Sequence, residues 1–335
     1  IAVLPLLMRC SSLISADERE PAHAPGISHR LTAKEMFMRK AVLICTMALS
    51  IFSFPLATTA IGATQTLEIT KNNILGKTGF SLSFALSGTR MVIRRINDDD
   101  IIVRAAITYN TGRWELKEPK LFTENSGSTF IAEFRSGVRA LPYTNTNLEE
   151  WDISIGNYDV ATALSIVCSN TAADLNLGGL PLTRCNLKFV KGTFELDFDA
   201  PTTRPVEQFT INGRAMNLAV SNIGNTDFSF FSLTGSGGTA DLNFDGLYVA
   251  EEHNVQIATA GMIEIITVPS DAGEQVVLLP FSLPVVVVPR DEWKRDYWFP
   301  FLQRYTTNDY NTQNIKINLG LTLIGSFGTI VRESD

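Results

Sequence analysis

The sequence is poor in histidine and cysteine, the side chains on which many nucleophilic enzymes depend. Its 335 residues include three histidines and four cysteines, and after residue 63 only His253, Cys168 and Cys185 remain. A Ser-His-Asp or Cys-His catalytic device would have to use His253. Because residues 250–254 are mostly polar, we expect a surface histidine in a turn. We predict no catalytic residue and no enzyme activity.

Basic charge is also scarce. The 28 lysines and arginines face 35 acidic residues, for a formal net charge of -7. Residues 1–63 hold six basic and four acidic side chains, so their removal would leave 22 minus 31, or -9. The sequence lacks the basic surface that neutralises nucleic-acid phosphates, and no phosphate-loop glycine pattern lies between a strand and a helix. We predict no nucleic-acid partner and no cofactor.

Long apolar runs are lacking except near the N-terminus. Residues 36–60 are predicted to be a signal peptide, because basic residues precede the apolar stretch 41–54 and small residues end at Ala60, the expected cleavage site, with cleavage after Ala63 as the alternative. An uncleaved anchor is the alternative, but the stretch is shorter than the roughly 20 residues that span hydrocarbon. Residues 1–35 are expected to be a disordered leader or upstream translation. We predict a periplasmic or extracellular protein without a transmembrane helix after cleavage.

Export would place Cys168 and Cys185 in an oxidising compartment that permits a disulfide. Their spacing does not decide whether they pair, and two inward-facing thiols acting as small core residues fit the sequence equally well. No metal site is predicted, because no histidine lies near them.

What the sequence does contain is a repeat with a period of about 22 residues. Each repeat holds two segments in which apolar and polar residues alternate, a pattern typical of half-buried strands. The apolar pairs of the first segment are Leu164/Ile166, Leu187/Phe189, Phe209/Ile211, Phe231/Leu233 and Val255/Ile257, and the second segments are 173–177, 194–198, 216–220, 240–244 and 262–266. Such units must stack to bury their apolar sides. The predicted fold is an all-β, solenoid-like stack of short strands.

Glycines between the two segments are expected to form sharp corners, and proline-containing stretches a second, longer corner. The corner glycines are Gly192, Gly213, Gly235, Gly237, Gly238 and Gly261. Residues 64–145 are predicted to form an N-terminal β region. Residues 146–335 are predicted to form the repeat region, with an aromatic insertion at 290–313.

Acidic residues recur on the second segments at Asp174, Asp197, Asp241 and Glu264. If they form an outward row, the simplest interpretation is a solvated sheet surface. The alternative is calcium binding or acid-base catalysis, as in parallel β-helix polysaccharide enzymes.

The aromatic insertion is the strongest candidate binding site. Tryptophan and tyrosine combine large buried area with a polar tip and are favoured at interfaces. The candidate residues are Trp293, Tyr297, Trp298, Phe299, Phe301 and Tyr305. The alternative is that they cap the open end of the stack, which would otherwise expose a hydrophobic cross-section.

Several of these segments resemble the toast-rack family of bacterial envelope proteins, which includes the LiaF-like cell-wall stress-response proteins. The resemblance rests on Tyr109-Asn110 followed by Trp114, on residues 150–155, on the serial strands such as 173–177 and 240–244, and on residues 325–331. It implies a stacked β-repeat fold and no catalytic residues. LiaF-like regulators couple a membrane-spanning part to a sensor kinase, whereas this chain carries a predicted cleavable signal.

These observations predict a non-enzymatic, secreted envelope protein that acts as a protein-interaction or stress-related regulatory scaffold. An envelope protein is the expected partner. The alternative is a polysaccharide-binding or polysaccharide-cleaving β-helix, which would use the acidic row or the aromatic insertion.

Overall fold

The computed structural model describes residues 62–110, 117–137, 149–278, 285–288, 290–299 and 302–332. The predicted signal peptide and leader, Trp114 and Phe301 lie outside these ranges. The strands are β1 Gly62–Thr70, β2 Gly79–Ser87, β3 Thr89–Arg95, β4 Ile101–Asn110, β5 Lys120–Ser126, β6 Thr129–Arg135, β7 Glu149–Ile155, β8 Ala161–Asn176, β9 Leu182–Asp197, β10 Gln208–Ser221, β11 Phe230–Asn243, β12 Glu252–Val268, β13 Gly273–Leu278, β14 Val285–Val288, β15 Trp293–Phe299, β16 Leu302–Thr307, β17 Lys316–Ile324 and β18 Phe327–Arg332.

Helical structure in the described ranges is confined to α1 (Lys71–Ile74) and two single 3-10 turns, Ile223–Thr226 and Arg290–Glu292. None of these helices is long and apolar enough to cross a membrane. The predicted all-β fold is therefore confirmed.

Strands β8 to β12 are the units of the repeat, and they stack in parallel register. Ile166 pairs with Leu187, and the same row continues through Ile211, Leu233 and Ile257. The sequence pattern had matched Leu187 with Leu164, which is wrong by two residues. Because strand alternation has a period of two, a two-residue slip keeps the same side chains inside. Periodicity alone therefore cannot detect it.

Each unit bends once, at a residue in the left-handed backbone region. These corner residues are Gly88, Asn170, Lys191, Ala215, Gly237, Gly261 and Gly325. The corners predicted at Gly237 and Gly261 are corners in the structure. Gly192 lies one residue past its corner, and a Cβ there would meet the Thr171 carbonyl oxygen of the neighbouring strand at 2.0 Å. Glycine is required at position 192 because the neighbouring strand lies so close to it, and not because of its backbone conformation.

The corner divides the hydrogen-bonded sheet into two faces. We call the segments before the corner the first face and those after it the second face. Inward side chains of the two faces form one core, and Phe189 and Phe194 stack across a corner with ring centroids 4.0 Å apart. Each large apolar side chain buried there contributes about 1.5–3 kcal/mol.

The ends of the stack do not follow chain order. The pair β2–β3 lies between β8 and the pair β6–β7. At the other end, β17–β18 lies between β12 and the pair β13–β14. Antiparallel strands complete both ends. At one end β5 pairs with β6, β4 with β7 and β1 with β4, and at the other end β16 pairs with β13 and β15 with β16.

Cys168 and Cys185 are free, buried thiols. Cys168 pairs with Phe189 and Cys185 with Leu164, so the two are offset by four residues, about 13 Å along a strand. Disulfides need Cα atoms within roughly 7 Å. Of the two interpretations left open by the sequence, the structure shows inward-facing thiols. Burial raises the pKa of Cys168 to about 12.

Candidate functional site

The outward row next to the corner on the second face changes character along the stack. It runs through Ala172, Thr193, Asn217, Thr239, Ile263 and Phe327 in direct register. The first four members are small or polar. Ile263 and Phe327 are apolar yet 56% and 47% exposed. Two large apolar side chains therefore lie side by side in solvent.

A second outward row shows the same change. Asp174, Glu195, Ala219 and Asp241 are followed in register by Ile265, which is 44% exposed, and the row is polar again at Thr329 on β18. Across the corner, Ile324 is 58% exposed. We call Ile263, Ile265, Ile324 and Phe327 the corner patch. Contiguous exposed apolar surface of this kind marks interaction sites in soluble proteins.

Glu264 lies beneath this patch, and its predicted outward position is wrong. Its register partner on β11 is the inward Ala240, and its side chain is fully buried. Thr259 donates a hydrogen bond to its carboxylate, and burial raises the pKa of Glu264. Because Glu264 turns inward, its neighbours Ile263 and Ile265 must turn outward. The alternating segment 262–266 fits either orientation, so the sequence did not reveal the patch.

The remaining acidic residues do not form a single row. Asp174, Glu195 and Asp241 share one row, interrupted by Ala219, while Asp197 belongs to the next. Within the described residues, no group of three or more His, Cys, Asp or Glu side chains could hold a metal ion.

The two faces carry opposite charge across β8 to β11, strands that are described in full. Outward positions of the first face hold Arg184, Lys188 and Arg214 and no acidic residue, and Lys191 follows at a corner. Outward positions of the second face hold Asp174, Glu195, Asp197 and Asp241 and no basic residue. We call these sets the basic patch and the acidic set.

The aromatic insertion forms the hairpin β15–β16, which extends the edge of β13. Trp293 is only 7% exposed and belongs to the core, and Tyr305 is partly buried against the core. Tyr297, Trp298 and Phe299 lie in β15, and their side chains are outside the described parts. Binding by the insertion stays a prediction.

His253 is buried, and the expected surface position is wrong. It is the first inward residue of β12, so strand alternation turns it into the core. Its Nδ1 lies 2.6 Å from the carbonyl oxygen of Phe228 and its Nε2 lies 3.0 Å from that of Ala250. Both ring nitrogens therefore lie against backbone carbonyl oxygens of two loops, which leaves neither directed at a substrate.

Arg332, at the end of β18, gathers carboxylates from three other segments. Its guanidinium nitrogens lie 2.7 Å from Asp309, 3.2 Å from Glu292 and 3.4 Å from Glu274. Glu274 is fully buried, and this burial raises its pKa to about 8 even though Arg332 opposes the shift. The cluster joins β18 to β13 and to the segments flanking the aromatic hairpin. Sequence pattern gave no sign of it, because its members are far apart in the chain.

Comparison with known proteins gives fold-level likenesses only. No family model matches the chain, and no curated protein matches it, so the resemblance to the toast-rack family stays a prediction. A structure described as a candidate cell adhesion protein from Clostridium sporogenes is 14% identical, with 81% of this chain and 100% of that chain covered, at a TM-score of 0.40.

Two further structures are described as candidate adhesins. The one from Bacteroides fragilis is 9% identical, covering 81% of this chain and 97% of that chain, at a TM-score of 0.31. The one from Parabacteroides merdae is 10% identical, covering 82% and 96%, at a TM-score of 0.28. At such TM-scores the likeness carries no functional argument.

Proposed function

We propose that the protein is exported to the cell envelope and acts there as a non-catalytic scaffold that binds another protein through the corner patch. One observation carries the proposal: an outward row that is small or polar on four successive strands becomes apolar and exposed at β12 and β18, and a second row becomes apolar and exposed at β12. Strand pairing does not require this change. Burial against a partner would repay the cost of exposing these side chains.

The charges around the patch indicate the kind of partner. Asp241 is the register neighbour of Ile265, and the acidic set continues from it along the second face. This border repels anionic lipid headgroups and phosphate polymers. It fits a protein surface with an apolar centre and basic residues at its margin.

Two other observations support export and the absence of catalysis. The first described strand begins at Gly62, two residues after the expected cleavage site at Ala60, so removal of the signal would leave β1 intact. Both nitrogens of His253 are engaged with carbonyl groups. The polysaccharide-cleaving alternative has no comparable support, because Glu264 faces inward and Trp293 is buried.

We further infer that the aromatic hairpin caps the stack. Trp293 and Tyr305 pack on the core at the end of the molecule, where an uncapped rung would expose its apolar cross-section.

The test of partner binding uses a photo-reactive amino acid at position 265 of the full chain, in cells that naturally produce it. We expect a specific protein cross-link. With the partner purified, Ile265→Ser and Phe327→Ser should each weaken binding about tenfold, because each removes an apolar contact worth more than 1 kcal/mol.

Phe122→Ser is the matched control. Phe122 is 45% exposed, almost as much as Phe327, but lies on β5 at the other end of the first face. It should leave the affinity unchanged. If no protein cross-links at position 265, or if the control weakens binding as much as Phe327→Ser, the proposal is wrong.

A further inference from the structure

We propose that the protein self-associates face to face, with the basic patch of one copy on the acidic set of the next copy. This contact is separate from partner binding at the corner patch. It uses the first face of one molecule and the second face of another. The occupant of each charged surface is therefore a second copy of this chain.

Within the part of the chain that the structure describes, most charges on both surfaces have no ion-pair partner in the same molecule. Among the described residues, Lys188, Lys191 and Arg214 make no ion pair, and Arg184 lies 3.5 Å from Glu207 in a solvent-exposed contact. Pairs of that kind contribute little. The charges of the basic patch therefore remain available, on a molecule whose overall charge is negative.

The acidic set carries an electrostatic cost. Asp174 and Glu195 are direct register partners on neighbouring strands, and like charges in this position destabilise a sheet. Arg90 and Arg94 on β3 border the set on one side only, and no ion pair joins them to it. Basic side chains of another copy would reduce the repulsion between these carboxylates.

The two surfaces match in spacing because the same strands build both. Neighbouring strands lie about 4.8 Å apart. Lys188 and Arg214 are offset by one strand and two residues, and Asp174 and Asp197 on the second face have the same offset. Val167 and Val190, 41% and 38% exposed, lie beside Lys188 and Arg214 on the first face. Their burial would add an apolar contribution to the charge pairs.

A contact between two different surfaces is not satisfied within a pair of copies, and further copies add to form an open chain or, where the rotation between copies closes, a ring. An open chain keeps a free basic patch at one end and a free acidic set at the other, so it can continue to grow. Because the interaction is mainly between exposed charges, it should be weak and sensitive to salt.

The first test is sedimentation of the mature chain over a range of concentrations. In low salt, about 50 mM NaCl, the average mass should rise with concentration. In about 500 mM NaCl, where the screening length falls to a few ångströms, it should return toward the monomer. A wild-type chain that remains monomeric at every concentration in low salt would overturn the proposal.

Charge reversal identifies the surfaces. One variant, Lys188→Glu with Arg214→Glu, makes both faces acidic, and a second, Asp174→Lys with Glu195→Lys, makes both faces more basic. Each alone should stay monomeric, and an equimolar mixture should associate again because every contact then joins opposite charges. Circular dichroism checks that both variants are folded.

Two results separate this contact from the alternatives. Ile265→Ser should leave self-association unchanged, which distinguishes it from binding at the corner patch. If the mixture of reversed variants stays monomeric, or if the wild-type chain binds anionic vesicles without self-associating, the pairing of these two surfaces is wrong.

Discussion

At the scale of single residues, the corners of the stack show which positions are under backbone strain. Ala215 and Lys191 adopt φ values of 51° and 56°. For residues with a Cβ this left-handed region costs roughly 1–2 kcal/mol. Their counterparts on β11 and β12 are glycines, which adopt it without that penalty. The stack therefore carries strain at Lys191 and Ala215, whereas the third corner residue with a Cβ, Asn170, is of a type that adopts this region more readily.

We expect Ala215→Gly to stabilise the protein. Glycine removes the steric penalty of the left-handed region in the folded state. This gain should exceed the loss caused by the greater conformational entropy of the unfolded chain, so the free energy of unfolding should rise by about 0.5–1 kcal/mol. Urea denaturation measures it. Ala219→Gly, at an ordinary outward position of β10, is the control and should destabilise. A loss of stability in both variants would contradict the corner assignment.

The inward or outward direction of most side chains could be predicted from sequence, but not that of Glu264. In most repeats, apolar residues occupy alternate positions only, so the buried set is unambiguous. In segment 262–266 apolar residues occupy both sets, and only the register with Ala240 decides. Pairing between strands is a tertiary property, so the corner patch could not be derived from local pattern.

At the scale of elements, the cluster around Arg332 fixes the last strand. A single guanidinium on β18 bridges β13, a 3-10 turn and the turn after β16. One carboxyl of the cluster, Glu274, is held in an environment that favours its neutral form, because burial dominates over the nearby cation.

Stability should therefore depend on pH through Glu274. Its pKa rises from an ordinary 4.5 to about 8 on folding, so its contribution is complete below about pH 4.5 and is lost as the pH rises toward 8. Glu274→Gln, which imitates the neutral form, should be more stable than the wild type at pH 8 by about 1–3 kcal/mol.

The measurement is the free energy of unfolding across this pH range. The two proteins should agree near pH 4.5 and diverge above it. Glu252→Gln, on an exposed carboxylate at the start of β12, is the control and should follow the wild type. Parallel curves for wild type and Glu274→Gln would show that the carboxyl titrates normally.

At the scale of the whole molecule, the stack has a centre and two ends. Strands β9 to β11 have long parallel neighbours on both sides, whereas β1, β5 and β15 each pair along one edge only among the described strands. In such quasi-one-dimensional folds, stability is the sum of each unit and its nearest contacts.

Hydrogen exchange should therefore be graded along the stack. We expect the slowest exchange in β9 to β11 and the fastest in β1, β5 and β15, because terminal strands open without disturbing the centre. Mass spectrometry of peptides after exchange gives the order. Uniform protection from end to end would instead indicate all-or-none unfolding.

Sequence periodicity predicted the central stack because each of its strands follows its neighbour in the chain. It could not predict the ends, where β2–β3 and β17–β18 pair with partners distant in sequence. Where the sequence pattern does not repeat, it does not indicate which strands will pair.

The place of β17–β18 has a consequence for synthesis. These strands emerge from the ribosome after β13 to β16, yet they occupy the gap between β12 and β13. Among the described strands, β13 and β14 therefore join β12 only through β17–β18, which come later in the chain. Until β17–β18 pair, β12 and β13 each present an unpaired strand edge, and such edges promote aggregation.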